Sequence, residues 1–570
     1  MKNFFNMTSK KYKFNKFKLP IQLDKKVKSI EKATIDELDI IDGEDPIYPT
    51  IFEMNTEYQK LNLESIAKYY TTNKKYIKQT SKLLKSSFSK TPESSEIMEL
   101  MKDVETETGF IDKYNYVDWE SLKFLNNNSR FLQALSLYEL SSPVLSLALP
   151  VILLIVPFFI IRLQGYSMNF TTYYDVLKKV LKNHSIGQIF SFNEASLDKR
   201  IFMIISLLFY FVQVYYNFQS CKKFIHNFKL IHQKITIVEK YLTETKSVIL
   251  NTIKKLENYS EYSAFKQDLD LTLENIERLL KRYSKITQCS YKIHKVSEIG
   301  HIMKCFYEIY NEDWVIETIN YSMHFNSYID TMNHIHSLYK SNKINKCNIS
   351  KNKISMKNAY YPTYIDRDPI KNNIKVDKNV IITGPNASGK TTLIKTTFIN
   401  LLFSQQFGVG FYEKANIQVF DNFKCYINIP DTSGRDSLFQ AEARRCKNII
   451  DNIVNNDTKS FCIFDELFSG TNPYEAIGAA TGFLDYLNTH KNITYMITTH
   501  FLDLCKNMDD DNQCKNICMG VNANNSKIEY TYKINDGISN VKGALHVLKE
   551  LNYPQIIIDR AESILDNLSL

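Results

Sequence analysis

Gly384, Gly389, Lys390 and Thr391 lie in the stretch GPNASGKT, with the spacing G-x-x-x-x-G-K-T. Two such glycines let the backbone curl until its N–H groups converge on phosphate oxygens. A helix starting there adds the positive end of its dipole. The lysine is placed for the β- and γ-phosphates, and the Thr391 hydroxyl for Mg2+. The expected nucleotide-binding set is Gly384, Pro385, Asn386, Ala387, Ser388, Gly389, Lys390 and Thr391, with Thr392 next on the helix. FCIFDELF supplies a second element, an apolar strand ending in Asp465 and Glu466. An aspartate there can hold Mg2+ directly or through water, and the adjacent glutamate can orient and polarise an attacking water. A third run, YMITTH, ends in His500, where an imidazole can sense a γ-phosphate. The chemistry expected is hydrolysis of ATP with Mg2+. Glu466, Lys390 and His500 are the catalytic candidates, and Thr391 and Asp465 the metal ligands.

These side chains need strand ends to hold them. NVIIT, FCIFDE and YMITT are short apolar runs separated by helical stretches. That alternation predicts a parallel sheet with helices on both faces, an α/β P-loop ATPase fold over residues 359–570. An all-α lever or core region precedes it. Residues 222–358 carry Ile231, Ile235, Val238, Leu242, Ile249 and Ile253 at helical spacing, a stripe suited to a partner helix. Residues 59–139 are also expected to be helical, with Ile97, Leu100, Met101 and Val104 on one face. Residues 1–58 read as a polar arm, basic at first and acidic in IDELDIIDGEDP.

Residues 140–221 hold two charge-free stretches. Leu140 to Ile161 has 22 residues and Ile201 to Cys221 has 21. Each is long enough to cross about 30 Å of hydrocarbon as a helix. The prolines at 143, 150 and 157 suit a membrane helix better than a soluble one. A transmembrane helical hairpin is therefore expected, with both flanks, and the ATPase domain, on the cytosolic side. Lys178, Lys179, Lys182, Lys199 and Arg200 lie in the connecting loop, so the positive-inside rule speaks against placing that loop outside.

The chain has 570 residues, enough for several domains. A net charge of +9 permits contact with nucleic acid or anionic lipid without requiring it. The ten cysteines have no paired spacing that suggests zinc or disulfides. The N-terminus has no signal-peptide core, and an intracellular location is expected.

Several stretches resemble the ATPase domain of the MutS family of DNA mismatch-repair proteins. They are GPNASGKT, SQQFGVGFYEKANIQVFDNF, DSLFQAEARRCKNIIDNI, DELFSGTNPYEA and YKINDGISNVKGALHVLKELNYPQIIIDRAESIL, in that order. The resemblance covers residues 359–570. It implies a two-fold dimer, homotypic or heterotypic, in which Ser437 of one subunit meets the γ-phosphate held by the other. The family's adenine-packing aromatic has no counterpart in DPIKNNIKV, where Asn372 is the nearest candidate for a base contact. GFYEK is similar to the family's mismatch-reading Phe-x-Glu but lies inside the ATPase region, and no comparable motif precedes residue 60. Two readings follow. One is a MutS-like ATP-dependent protein acting on double-stranded DNA, in mismatch repair or related DNA maintenance. The other is a membrane-tethered ATPase of the same type without mismatch recognition, its hairpin standing where a DNA clamp is expected. An ATP-binding-cassette transporter would need a Leu-Ser-Gly-Gly-Gln-like signature, which the sequence lacks.

Overall fold

The computed structural model describes residues 16–52, 54, 56–165, 167, 169–182, 196–287, 293–427, 437–454, 458–509, 513–524, 527–539, 541 and 543–568. The first fifteen residues of the expected arm and residues 183–195 of the loop between the apolar stretches lie outside this set. So do Asp436, Asn540 and Lys542 of the stretches quoted above. In chain order the elements used here begin with β1 (Val27–Ser29), α1 (Lys32–Glu37), β2 (Tyr69–Thr71) and α2 (Ser129–Leu163). They continue with α3 (Phe170–Lys182), α4 (Leu197–Leu256), α5 (Ile299–Asn311) and α6 (Asp313–Lys340). Then come β3 (Asn345–Ser350), β4 (Ile354–Ala359), β5 (Asn372–Val376), β6 (Asn379–Thr383) and α7 (Lys390–Phe407). After them follow β7 (Val409–Gly410), β8 (Lys414–Gln418), β9 (Asn422–Tyr426), α8 (Leu438–Ile453) and β10 (Ser460–Asp465). The last are α9 (Pro473–Asn488), β11 (Ile493–Thr498), α10 (Leu502–Asp509), β12 (Cys514–Asn524), β13 (Lys527–Asp536), α11 (Gly543–Glu550) and α12 (Gln555–Leu568).

The chain forms two compact units. One comprises Met1–Lys16, Pro92–Ser247 and Thr272–Ser322, and its described part is helical. Aromatic packing organises it: Phe110 stacks on Tyr310 with centroids 4.2 Å apart, beside Phe306 and Tyr116. The start of α2 meets α5 backbone to backbone. A Cβ on Gly300 would fall 2.1 Å from Ser129 O, so only glycine permits the approach. Gln133 seals the contact, accepting from Gly300 N at 2.8 Å and donating to Val296 O at 2.6 Å. Lys234 of α4 donates to Asp103 and to Tyr310 Oη, each at 2.9 Å. The polar ends of α2 and α4 are thus rooted in one folded unit.

Beyond those roots the two helices carry the charge-free stretches. They run antiparallel as a pair: Ser220 Oγ donates to Glu139 Oε2 at 2.9 Å, and Tyr210 Oη to Ser146 O at 2.7 Å. Their outer faces are apolar and exposed. Leu208 is 63% and Phe209 70% accessible. α4 is long and apolar enough to cross a membrane, and α2 counts as a second such helix if its two halves form one span. These halves meet at 52° beside Pro150, where the ring removes an N–H and clashes with the preceding turn. α3 turns back onto α2, with Tyr173 Oη donating to Leu154 O at 2.8 Å.

The second unit comprises Phe17–Thr91, Val248–Leu271 and Met323–Leu570. Its main sheet has the order β13-β12-β6-β11-β10-β9. From β12 to β9 neighbours are parallel, as the alternating pattern predicts, whereas β13 closes the edge antiparallel. Both faces are covered. On one, Phe398 of α7 packs on Phe423 and Phe461. On the other, Phe464 meets Phe483 of α9 edge-on at 5.4 Å.

Two findings differ from the sequence expectation. A second, five-stranded sheet of order β5-β4-β8-β3-β7 mixes parallel and antiparallel pairs and begins at Asn345, ahead of residue 359. NKCNIS and ISMKNA are rich in Asn, Lys and Ser, which are weak strand signals. Part of the stretch read as a polar arm is also packed. Leu38, Ile40, Ile47 and Tyr48 are fully buried, Tyr48 Oη bonds Gln406 of α7, and β1 pairs antiparallel with β2.

Candidate nucleotide site

The loop from Gly384 to Gly389 joins β6 to α7 and needs unusual backbone angles. Gly384 has φ 154° and Gly389 φ 94°, a region where side chains are strained. Space is also short: a Cβ on Gly389 would lie 3.2 Å from the Tyr532 ring, and one on Gly384 2.8 Å from Ser388 Oγ. Ser388 Oγ is buried with no hydrogen-bond partner, although a buried hydroxyl normally has one. A polar ligand in the loop would supply it. Lys390, 5% exposed, opens α7. Its Nζ donates to Gly384 O at 3.0 Å and Pro385 O at 3.3 Å. Burial pushes its pKa down, while Glu466 and Asp465 pull it up.

Parallel pairing of β10 between β9 and β11 brings the acidic pair to the same end of the sheet. Thr391 Oγ1 donates to Asp465, 3.1 Å from Oδ1 and 3.0 Å from Oδ2. Thr498 Oγ1 bonds the same carboxylate. Burial raises the Asp465 pKa despite these bonds. Glu466 adopts φ 52°, left-handed for a residue that carries a Cβ. Its N–H is held by Thr498 O at 3.1 Å. That backbone turns its carboxylate toward Lys390 Nζ, 3.9 Å away, and His500 Nε2, 2.9 Å away. The His500 hydrogen bond holds the Glu466 carboxyl below its ordinary pKa. His500 Nε2 also lies 3.0 Å from Lys390 Nζ. One nitrogen cannot accept from Lys390 and donate to Glu466 at once, so these two bonds are mutually exclusive.

Of the residues expected from sequence, Asn386, Ala387, Ser388, Gly389, Lys390, Thr391, Thr392 and Glu466 line a common cleft of about 620 Å³. Asp465 and His500 bond into it through Thr391, Lys390 and Glu466, and Gly384 and Pro385 shape it. Asn372 lines the cleft too, but its amide donates to Tyr532 O at 2.9 Å and accepts from Ile534 N at 3.1 Å. That side chain ties β5 to β13. Four tyrosines, Tyr360, Tyr361, Tyr364 and Tyr532, form part of the cleft wall. Tyr532 is 39% exposed and has φ 55°. Sequence reading missed them, since no pattern links β13 to a loop over 140 residues earlier. Ser437 does not line the cleft. It caps α8, accepting from Gln440 N at 3.3 Å in a capping box. Further along α8, Glu442 accepts from Ser469 Oγ at 3.1 Å and Gly470 N at 3.2 Å, just past Glu466.

Thr391 and Asp465 together suit a Mg2+ that takes its remaining oxygens from phosphate and water. Among the described residues no group of three or more His, Cys, Asp or Glu forms an all-protein metal cage, and that pairing of one hydroxyl with one carboxylate fits a metal bound with its substrate.

Residues 380–569 match the family model described as MutS domain V. The chain is 29% identical over 218 residues to the DNA mismatch repair protein MutS of Persephonella marina, covering 37% of this chain and 25% of that protein. It is 28% identical over 190 residues to the protein of the same name from Lactococcus lactis subsp. cremoris, covering 33% and 22%. For Orientia tsutsugamushi the figures are 29% over 199 residues, 34% and 22%. The matched region thus spans about a quarter of the length of these relatives. Residues 380–569 are therefore a divergent MutS-family domain.

Proposed function

We propose that the C-terminal domain is a Mg2+-dependent ATPase and that hydrolysis drives a conformational cycle in a dimer. The observation that supports it most is the convergence of Lys390, Thr391, Asp465, Glu466 and His500 at one end of a cleft of nucleotide size. The loop N–H groups and Lys390 bind the β- and γ-phosphates, Thr391 and Asp465 hold Mg2+, and the tyrosine wall with Tyr532 takes the base. Mg2+ supplies charge neutralisation on the phosphate oxygens. Glu466, kept ionised by His500, orients a water and accepts its proton as the new P–O bond forms and the β–γ bridging P–O bond breaks. When phosphate draws Lys390 forward, His500 is left to Glu466 alone.

Dimerisation fits the surface. α11, α12 and the turn between them expose Val547, Leu551, Tyr553, Ile556 and Ile557, with Ile556 78% accessible, apolar area that a second subunit would cover. Ser437, outside its own cleft, would then face the partner's γ-phosphate. The names of the relatives support a role related to DNA mismatch repair, with double-stranded DNA as the substrate of the motor. Turnover of ATP by the purified chain, with and without duplex DNA at stated salt, tests this. Failure of Mg2+-ATP to turn over would overturn it.

A second reading is favoured by the exposed apolar legs of α2 and α4: the ATPase is tethered to a membrane. On this reading both flanks lie on one side, the intracellular side where ATP is available, and the rooting of both legs in one unit supports it. Extraction of membranes with alkaline carbonate decides it. Retention in the pellet supports the tether, and release of intact protein ends it.

A further inference from the structure

The nucleotide chemistry leaves one acidic stretch unused: Glu31, Glu37 and Asp39, on and around α1. Each carboxylate meets a different element of the ATPase fold. Glu31 pairs with Lys424 of β9, whose side chain is 8% exposed. Asp39 Oδ2 lies 3.5 Å from Lys395 Nζ, in the second turn of α7. Glu37 is the most enclosed, at 17% exposure against 16% for Arg445. Its Oε1 accepts from Arg445 Nη2 at 2.6 Å and its Oε2 from Ile427 N at 3.2 Å. Arg445 Nη2 also donates to Cys425 O at 3.0 Å. Burial pushes the Glu37 pKa up, and Arg445 pulls it back. Arg445 lies on α8, two turns beyond Ser437. Removing one member of such an enclosed pair strands the other's charge, so the contact fixes the helix strongly.

We propose that Glu37 is a positioning residue for α8: the N-terminal segment sets the pose of the helix that presents Ser437 to a nucleotide held by a second copy of this chain. The inference rests on the dimeric ATPase reading. Its consequence is specific. Losing Glu37 damages the partner's site more than the subunit's own, because Asp39 and Lys395 still brace α7 and Glu442 still ties α8 to the turn after Glu466.

Mixed dimers, assembled by co-expression with two affinity tags, test it. In the first, Glu37→Ala stands on one subunit and Lys390→Ala on the other, so the only working loop faces an intact α8. In the second, both substitutions stand on one subunit beside a wild-type copy, so the only working loop faces the altered α8. The expected result is turnover roughly 10- to 100-fold lower in the second than in the first, the cost of a misplacement near 1 Å. KM for ATP stays unchanged, and Glu37→Gln, which keeps one of the two acceptor oxygens, restores part of the loss. Should Glu37→Ala fail to fold, Arg445→Gln in the same two arrangements must give the same split. Equal turnover in both arrangements, with an active wild-type dimer, overturns the inference alone. A wild-type chain that hydrolyses ATP as a monomer overturns the dimeric reading and the inference with it.

Discussion

Phe398 and Phe209 are the same residue on two long helices, yet one is fully buried and the other 70% exposed. Phe398 lies on α7 against β9 and against β10, the strand that ends in the acidic pair. Phe209 lies on the outer face of α4, where no described residue buries it. The contrast shows that apolar content alone does not make a core. Around the six-stranded sheet each apolar face has a partner element, and transfer out of water contributes on the order of 2 kcal/mol per large side chain. On the outer faces of the α2 and α4 legs the same gain needs something outside the described residues, whether lipid or a second protein.

The comparison can be pressed from either side. Lys390→Ala should be the most damaging change, removing about 10³-fold or more of ATP turnover, since a buried cation aimed at developing charge is lost. Steady-state hydrolysis with matched melting curves checks this. Glu466→Gln should lower kcat by about 10²-fold or more with little change in KM. Turnover at the normal rate would remove Glu466 as the base. On the other side, Leu208→Arg on α4 should weaken membrane retention by about 3 kcal/mol if the leg lies in lipid, read as a shift from pellet to supernatant. An unchanged distribution would mean water already surrounds the leg. Tyr532→Ala should raise KM for ATP by roughly tenfold, the worth of one base–aromatic stack, with kcat nearly unchanged. The smallest effect is a pH shift. His500 holds the Glu466 pKa down, so His500→Ala should raise it and move the acid limb of kcat to higher pH. A limb that stays put would place Glu466 outside the rate-limiting protonation.

The region that carries the candidate nucleotide site was the more legible of the two. GPNASGKT carries its geometry in its glycines, and apolar runs ending in Asp465 and His500 announce strands whose tips must converge. Tyr532 was not legible, because it reaches the cleft through an antiparallel edge hairpin and a left-handed backbone that no short pattern encodes. Nor was the clamp of Glu31, Glu37 and Asp39, since Glu31 and the acids of IDELDIIDGEDP read as solvated until Lys424, Arg445 and Lys395 are brought beside them by the fold. The apolar legs were visible in sequence as helices. Their surroundings were not, because burial is a property of what packs against a segment.

The two legs also differ from each other. α4 runs 60 residues with no glycine or proline, about 90 Å of unbroken rise. α2 contains three prolines and a 52° bend. The pair is built like a mast with an angled stay: one helix runs unbroken, and the bend of the hairpin sits in the other.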